Sequence, residues 1–411
     1  MLTNYMNQLN KFSFFALFFF LLNSQIVFGQ EKTDNLTIPI SKKWFESFSI
    51  RGYQQVRYNR LFETNDKLRC EQCDRSWGAD GGFFIRRMRV ILFGQINKRV
   101  YFYIQPDFAS SASTTSLHFG QLRDAYFDIG LDDKNEFRFR IGQSKIAYGF
   151  ENMQSSQNRL ALDRNDALNS AVSNERDLGV FFYYAPSEVR KLFSELVSSG
   201  LKGSGDYGVF GFGLYNGQTA NKPELNNEPH AFTRIAYPFK IGNQIIEPAL
   251  QAYSGKFVVA KDQLTTGVKT NADLNYLDQR AAASFVLYPK PFGIMAEYNV
   301  GRGPEFNKET DSIELRDLHG GYVTFSYYQK IGNQLLIPFS RVQYYQGGKK
   351  HEKDARSYDV KELEIGTEWQ PNKNFELVVM YTFSNRRFED FALQNNRQIG
   401  QLMRIQAQLN F

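Results

Sequence analysis

The feature that most constrains this chain is a hydropathy period of two, sustained over segments far longer than ordinary strands. Val100, Phe102, Ile104 and Phe108 alternate with Tyr101, Tyr103, Gln105 and Asp107. Phe375, Leu377, Val379, Tyr381 and Phe383 alternate with Glu376, Thr382 and Ser384. Such spacing sends successive side chains to opposite faces of a sheet. Sixteen segments carry it: 48–58, 83–96, 99–110, 120–131, 135–146, 177–185, 206–216, 229–239, 243–255, 278–289, 291–301, 318–330, 333–346, 358–370, 373–387 and 399–411. Most have 10 to 14 residues, against about 5–6 in soluble proteins. A strand tilted about 45° needs about 9–11 residues to cross a bilayer.

The connections alternate in length. Short ones carry turn chemistry: Asn97-Lys98, Asp132-Asp133-Lys134, Lys240-Ile241-Gly242, Pro289-Lys290, Ile331-Gly332 and Pro371-Asn372-Lys373. Long ones fall at 59–82, 110–119, 147–176, 217–228, 256–277, 302–317, 347–357 and 388–398. Turns at one end and loops at the other are the signature of an outer-membrane barrel, with turns periplasmic and loops outside. The exception is 186–205 on the turn side, whose stretch SEVRKLFSELVSSG is suited to a short helix. The expected fold is therefore all-β, a 16-stranded antiparallel transmembrane β-barrel of the bacterial outer membrane, spanning 48–411.

The cost of charge in lipid decides which face is which. In FFIRRMRVILFG one phase sends Phe84, Arg86, Met88, Val90, Leu92 and Gly94 outward, and the other sends out Arg87 and Arg89. An Arg facing lipid costs about 2–4 kcal/mol at mid-bilayer and about 0–1 near the interface. One Arg near the band's end costs less than two within it, so Arg87 and Arg89 point inward. The same logic sends Phe137, Phe139 and Ile141 to lipid and Arg138 and Arg140 to the lumen. On the last strand Met403, Ile405, Ala407, Leu409 and Phe411 face out, with Arg404, Gln406, Gln408 and Asn410 inside. A secreted soluble β-protein would alternate similarly, but strand length, loop rhythm, even strand count and the terminal aromatic weigh against it. Pro106, Pro248 and Pro338 fall within strands and count slightly against the barrel, since Pro removes a ladder hydrogen bond that a bulge can absorb.

Composition fits this reading. Aromatics reach 16% of the 411 residues and charged residues 22%, too aromatic for disorder and too polar for a bundle of apolar helices. Residues 1–29 carry one charge, Lys11, and an apolar core, Phe12 to Leu22, and read as a secretory signal peptide cleaved after Gly29. Residues 30–47 are then a periplasmic lead-in, with Trp44 and Phe45 suited to the membrane interface. Removing 1–29 lowers the net charge from +6 to +5, which gives no reason to expect a nucleic-acid partner. The two cysteines, Cys70 and Cys73, form a CxxC. In an exported chain this can be a redox pair, half a metal site or a local disulfide. With no thioredoxin-like context and no second Cys pair, a loop-bracing disulfide is expected. No cofactor or metal is expected.

Several stretches, taken in order, resemble the phosphate-selective porins O and P: GGFFIRRMRVILFGQINKRVYFYIQPDFA (81–109), LRDAYFDIG (122–130), FRFRIGQSKIAYGFENMQSSQN (137–158), NERDLGVFFYY (174–184), GLYNGQ (213–218), PFGIMAEYNVG (291–301) and IPFSRVQYYQGG (337–348). Each motif is loose; their order over the barrel is specific. The resemblance implies a 16-stranded homotrimer, passive anion diffusion through an Arg- and Lys-lined pore, and a terminal Phe411 read by the barrel-assembly machinery.

Candidate pore-lining cations are Arg51, Arg57, Arg87, Arg89, Arg99, Arg138, Arg140, Arg234, Arg280 and Arg404. Arg suits phosphate because its planar fork donates bidentate, charge-assisted hydrogen bonds. The same phase places Asp107, Asp124, Asp128, Glu247, Glu297, Glu362, Glu364 and Glu368 inside, so a general diffusion pore with opposed charged walls is the alternative. Lys145 has an ambiguous phase. The 147–176 loop, with Glu151, Arg159, Asp163, Arg164 and Asp166, is long enough to fold into the lumen and narrow it, or else to pack over the mouth. His118, His230, His319 and His351 accompany no GxSxG or HExxH motif, so no catalytic residues are assigned. An adhesion or scaffold barrel acting through its loops is the remaining class. The expected partners are outer-membrane lipid and a small anion, with phosphate the named solute.

Overall fold

The computed structural model describes residues 44–59, 64–65, 68, 82–110 and 118–411. All fall in the second of two units, Trp44–Phe411. The expected signal peptide and the Cys70/Cys73 pair lie outside the described residues.

Sixteen strands close into one antiparallel barrel. In chain order they are β1 Phe48–Asn59, β2 Gly82–Gln95, β3 Val100–Ser110, β4 His118–Gly130, β5 Phe137–Lys145, β6 Arg176–Tyr184, β7 Phe210–Tyr215 and β8 His230–Ala236, which resumes at Phe239–Ile241. There follow β9 Gln244–Val258, β10 Asn275–Leu287, β11 Phe292–Asn307, β12 Ser312–Tyr327, which resumes at Gln329–Ile331, β13 Gln334–Gly348, β14 Ser357–Asn372, β15 Phe375–Glu389 and β16 Arg397–Asn410. Each strand pairs with its sequence neighbours, and β1 pairs with both β2 and β16, leaving no sheet edge. The closing seam runs to the last residue: Gly52 N–H donates to the Phe411 carbonyl (2.7 Å) and Phe411 N–H to that of Gly52 (3.0 Å).

The strand prolines sit where the ladder is already interrupted. Pro106 falls at a register shift between β3 and β4. Pro248 lies beside the break in β8, where Tyr237 N–H donates to its carbonyl. Pro338 lies beside the break in β12. Missing N–H groups thus cost few ladder bonds.

Two register shifts also move arginines. Between β1 and β2, Gln55 opposes Arg87 and Val56 opposes Ile85, so Arg86 is the extra residue of a bulge. The expectation that Arg86 and Phe84 face lipid is therefore corrected. Val56 and Phe83 are exposed, Phe84 opposes the buried Arg57, and Arg86 reaches Asp163 inside at 3.6 Å. Between β3 and β4, Asp124 opposes Gln105 and Leu122 opposes Pro106, which makes Arg123 the extra residue; its side chain is buried. Each bulge re-aims an arginine that strict alternation would send toward lipid.

The expected loop 302–317 is mostly strand, because β11 runs to Asn307 and β12 starts at Ser312. Backbone pairing continues past the apolar band, where hydropathy no longer reports it. The helices are short: α1 Phe150–Met153 and α2 Asp166–Ala171 on the loop side, and α3 Ser187–Ser198 on the turn side. Val189, Leu192, Phe193 and Leu196 make a buried stripe on α3 at helical spacing.

Candidate functional site

The connection from Ile146 to Glu175 lies inside the barrel. Its side chains meet nearly the whole wall, so almost all are buried. Tyr53 and Arg89 hold Ser156 at 3.1 and 2.8 Å, and Tyr148 donates to Asn299 at 2.7 Å. Phe150 N–H donates to Glu297 at 2.6 Å, and Arg280 donates to Ser170 Oγ at 2.6 Å and to its carbonyl at 3.0 Å. Those contacts reach β1, β2, β10 and β11, which surround the loop.

The loop's own charges are sorted between two walls. Three of its four acids, Glu151, Asp163 and Asp166, face β13–β16 and β1. Glu151 pairs with Arg341 at 2.8 Å. Asp163 takes Arg57 at 3.3 Å and Arg404 at 2.5 Å. Asp166 takes Arg386 at 2.9 Å together with Lys349. Glu362 and Glu364 complete this set through Arg386 and Arg341. Burial pushes the Asp166 carboxyl up, but Arg386 and Lys349 outweigh it and bring it down to about 2.

The loop's bases face β2–β6. Arg159 and Arg164 both pair with Glu175, which also meets Arg176 and, at 3.8 Å, Arg123. One carboxylate thus sits among four guanidinium groups. Burial works against its charge, yet Arg159, Lys145, Arg164 and Arg176 hold it well below the usual carboxylate range. Arg176 pairs further with Asp124, and Arg89 with Asp107 at 2.8 Å. Lys145 faces the lumen, which settles its phase, and donates to the carbonyls of Met153 and Gln154. Arg87 donates to Gln55 Oε1 at 2.8 Å. Seven cations (Arg87, Arg89, Arg123, Lys145, Arg159, Arg164 and Arg176) here share three carboxylates, Asp107, Asp124 and Glu175.

Sequence reasoning missed a second insertion, from the turn side. After α3 the chain enters the barrel, where Lys202 is buried and pairs with Glu368 at 2.6 Å and Glu376 at 3.8 Å. Glu368 stands on β14, eight strands round from β6, so the segment crosses to the opposite wall. Tyr328 donates to the Gly200 carbonyl at 3.0 Å and Gln154 to that of Lys202, tying this crossbar to the wall and to the inserted loop. Leu192 and Leu196 of α3 pack with Phe150, Ile245, Val286 and Tyr288.

Of the ten expected cations, Arg57, Arg87, Arg89, Arg138, Arg140, Arg234, Arg280 and Arg404 lie on the lumen face and are buried among its contents. Arg51 shares that face but stays exposed at the turn end, over the Phe93 ring at 5.2 Å. Arg99 is corrected: it lies on the turn before β3, pairs with Asp133 at 2.6 Å and lines no wall. Seven others also have carboxylate partners; those not yet given are Arg138–Asp206 (2.7 Å), Arg140–Asp128 (2.8 Å), Arg234–Glu247 (3.0 Å) and Arg280–Asp278 (3.2 Å). Among the described residues, Arg51 and Arg87 alone of the ten have no carboxylate within 4.0 Å. Sequence reasoning also missed Arg123, Arg176, Glu175, Arg341 and Arg386.

Among known families, the profile described as phosphate-selective porin O and P matches residues 64–411. That is most of the chain. It belongs to the phosphate-selective porin O and P family. The closed barrel and the porin profile together make this family member an outer-membrane channel of the bacterial cell. No curated protein sequence matches it. Among solved structures it is similar to the outer membrane channel DcaP of Acinetobacter baumannii, with TM-score 0.54 and 14% identity over 89% of this chain and 97% of that one. An anion-selective porin from Comamonas acidovorans gives 0.53 and 8%, over 89% and 99%. OmpT of Vibrio cholerae gives 0.51 and 11%, over 89% and 100%. These likenesses concern the fold.

Proposed function

We propose that this porin passes small anions passively, phosphate among them, along the β2–β6 wall and catalyses no reaction. The observation that carries this is the uneven charge of the lumen. On the β13–β16 side every arginine named above meets a carboxylate of the loop or wall. In the cluster on the other side seven cations share three carboxylates, and among the described residues two of the seven, Arg87 and Lys145, have none within 4.0 Å. Arg51 lies below it: its cross-strand partner is Ile91, four residues along β2 from Arg87, or about 13 Å toward the turn end. Two uncompensated guanidinium groups at successive levels attract an anion inward without holding it in one place, as conduction requires.

In this reading turns face the periplasm, the inserted loop forms the main constriction, and the crossbar narrows the pore below it. Residues 1–29 direct export, and Phe411, whose backbone closes the seam, is the handle for barrel assembly. A trimer in outer-membrane lipid is the expected assembly; OmpT of Vibrio cholerae, which shares the fold, is described in a trimer form. Planar-bilayer reconstitution under a KCl gradient tests the proposal. A reversal potential favouring chloride, with conductance reduced by added phosphate, is expected. A cation-selective potential without phosphate block refutes the anion reading.

A further inference from the structure

Resting on the porin reading, we propose a second solute site at the turn end of the lumen, built to take organic anions that carry a flat ring. Its floor is a row of three aromatic side chains on adjacent strands. Phe93 of β2 pairs across the ladder with Tyr103 of β3, which pairs with Tyr126 of β4. Their ring centroids are 6.5 and 5.2 Å apart, and Tyr103 and Tyr126 stack at 12°. A cation stands at each end of the row. Arg51 lies over Phe93 at 5.2 Å, and the Arg140 guanidinium lies over Tyr126 at 3.9 Å.

The row's place argues for a ligand. Aromatic girdles in barrels face lipid at the interfaces, and this barrel has such residues at the same level: Phe48 and Phe102, in edge contact at 4.8 Å. Phe93, Tyr103 and Tyr126 occupy the other phase. They share the face of Asp107, Asp124 and Asp128, and each is only half-buried. The rings therefore line the water path, below the loop that fills the middle of the barrel. A water-filled pore for inorganic ions gains nothing from leaving three neighbouring rings part-exposed on its wall. A solute with its own ring stacks on them and removes apolar surface from water.

The charges select the sign and the shape. Arg140 is committed to Asp128 at 2.8 Å, whereas Arg51 is exposed and has no carboxylate partner among the described residues. A carboxylate or phosphate attached to the ring would meet Arg51 while the ring packs against the exposed parts of Phe93 and Tyr103. Both features are needed together, which separates this ligand class from inorganic phosphate.

The test uses the full-length mature protein in planar bilayers, with phenyl phosphate and methyl phosphate as blockers of the KCl current. Phenyl phosphate should half-block at a concentration about tenfold lower than methyl phosphate. Tyr103→Leu with Tyr126→Leu should erase that difference and leave the methyl phosphate block unchanged. Equal block of the wild-type channel by the two phosphates overturns the proposal without recourse to variants. So does equally strong block by benzylammonium, because the rings would then act without Arg51. A protein that conducts no KCl defeats the porin reading instead. Binding of phenyl phosphate over methyl phosphate, read by saturation-transfer NMR on the detergent-solubilised protein, would then decide the ring site on its own.

Discussion

Arg87→Gln removes the one buried arginine on the β2–β6 wall that, among the described residues, has no carboxylate within 4.0 Å. Its polar partner among the described residues, Gln55, is neutral and stays in place. An anion passing about 4 Å from a guanidinium gains about 1 kcal/mol at the dielectric of bulk water and about 4 kcal/mol at an effective dielectric of about 20. A hydrated lumen lies toward the lower figure, and about 1 kcal/mol corresponds to about a fivefold change in partitioning. The chloride-to-potassium permeability ratio should therefore fall about three- to fivefold. Reversal potentials under a gradient of about 10 to 100 mM KCl report it, since the Debye length there stays at or above about 10 Å. Arg57→Gln is the matched control. The Arg57 charge is already met by Asp163 at 3.3 Å, and Asp163 keeps Arg404 at 2.5 Å, so the ratio should move less than about twofold. An unchanged ratio in Arg87→Gln, or a larger change in Arg57→Gln, would refute the argument that uncompensated charge sets selectivity.

Three further outcomes follow from the same geometry. Deleting 152–170 removes the contents of the barrel's middle and should raise single-channel conductance severalfold; an unchanged conductance would show that this loop is not the constriction. Lys202→Met leaves Glu368 buried without its cation, a loss of about 3–5 kcal/mol when one member of a buried pair is removed. The crossbar should then detach, giving larger and noisier conductance steps, and Glu368→Gln should act in the same direction. For pH, the Asp166 carboxyl sits at about 2 in the fold and near about 3.9 in an unfolded chain. A depressed value contributes stability that is whole above the unfolded value and disappears as pH falls through the folded one. Glu175, also held low, acts with the same sign. Anchoring of the loop by these two carboxylates should thus persist down to about pH 4 and fail only below about pH 3, read as a rise in conductance there; a rise already complete at about pH 5 would contradict it.

Strand number and facing were legible because a wrong phase is expensive. In FFIRRMRVILFG and FRFRIGQSK the cost of arginine in lipid outweighs any local propensity, so Arg87, Arg89, Arg138 and Arg140 could be placed inside without coordinates. Arg86 and Arg123 escaped for the same reason read too strictly. Unbroken alternation sends both toward lipid, whereas an arginine left over in the lipid phase is itself the signal that a bulge must turn it inward. Arg99 was misplaced because a residue at a strand's first position can belong to the turn. The polar continuations of β11 and β12 and the path of Gly200–Gly205 across the lumen leave no periodic trace. In the second case one buried lysine and a partner 166 residues away fix the course, and no local pattern encodes that separation.

The sorting of charge on the inserted loop explains how one set of lumen arginines does two jobs. The loop contributes Glu151, Asp163 and Asp166 to one wall, and Arg159 and Arg164 with the single acid Glu175 to the other. On the β13–β16 side its acids neutralise Arg341, Arg386 and Arg404, so those guanidinium groups hold the loop and leave little field for a solute. On the β2–β6 side its bases add to a wall already short of carboxylates, and the only acid among them, Glu175, is shared by four arginines. Folding the loop inward therefore does more than narrow the lumen. It moves net positive charge toward one wall, so an anion's path is set by the loop's placement as much as by the barrel. Swapping the signs at Asp163 and Arg159 would keep the loop's net charge and reverse that displacement. If selectivity survived such a swap in a folded, conducting channel, the wall arginines alone would account for it and the loop would serve only as an obstruction.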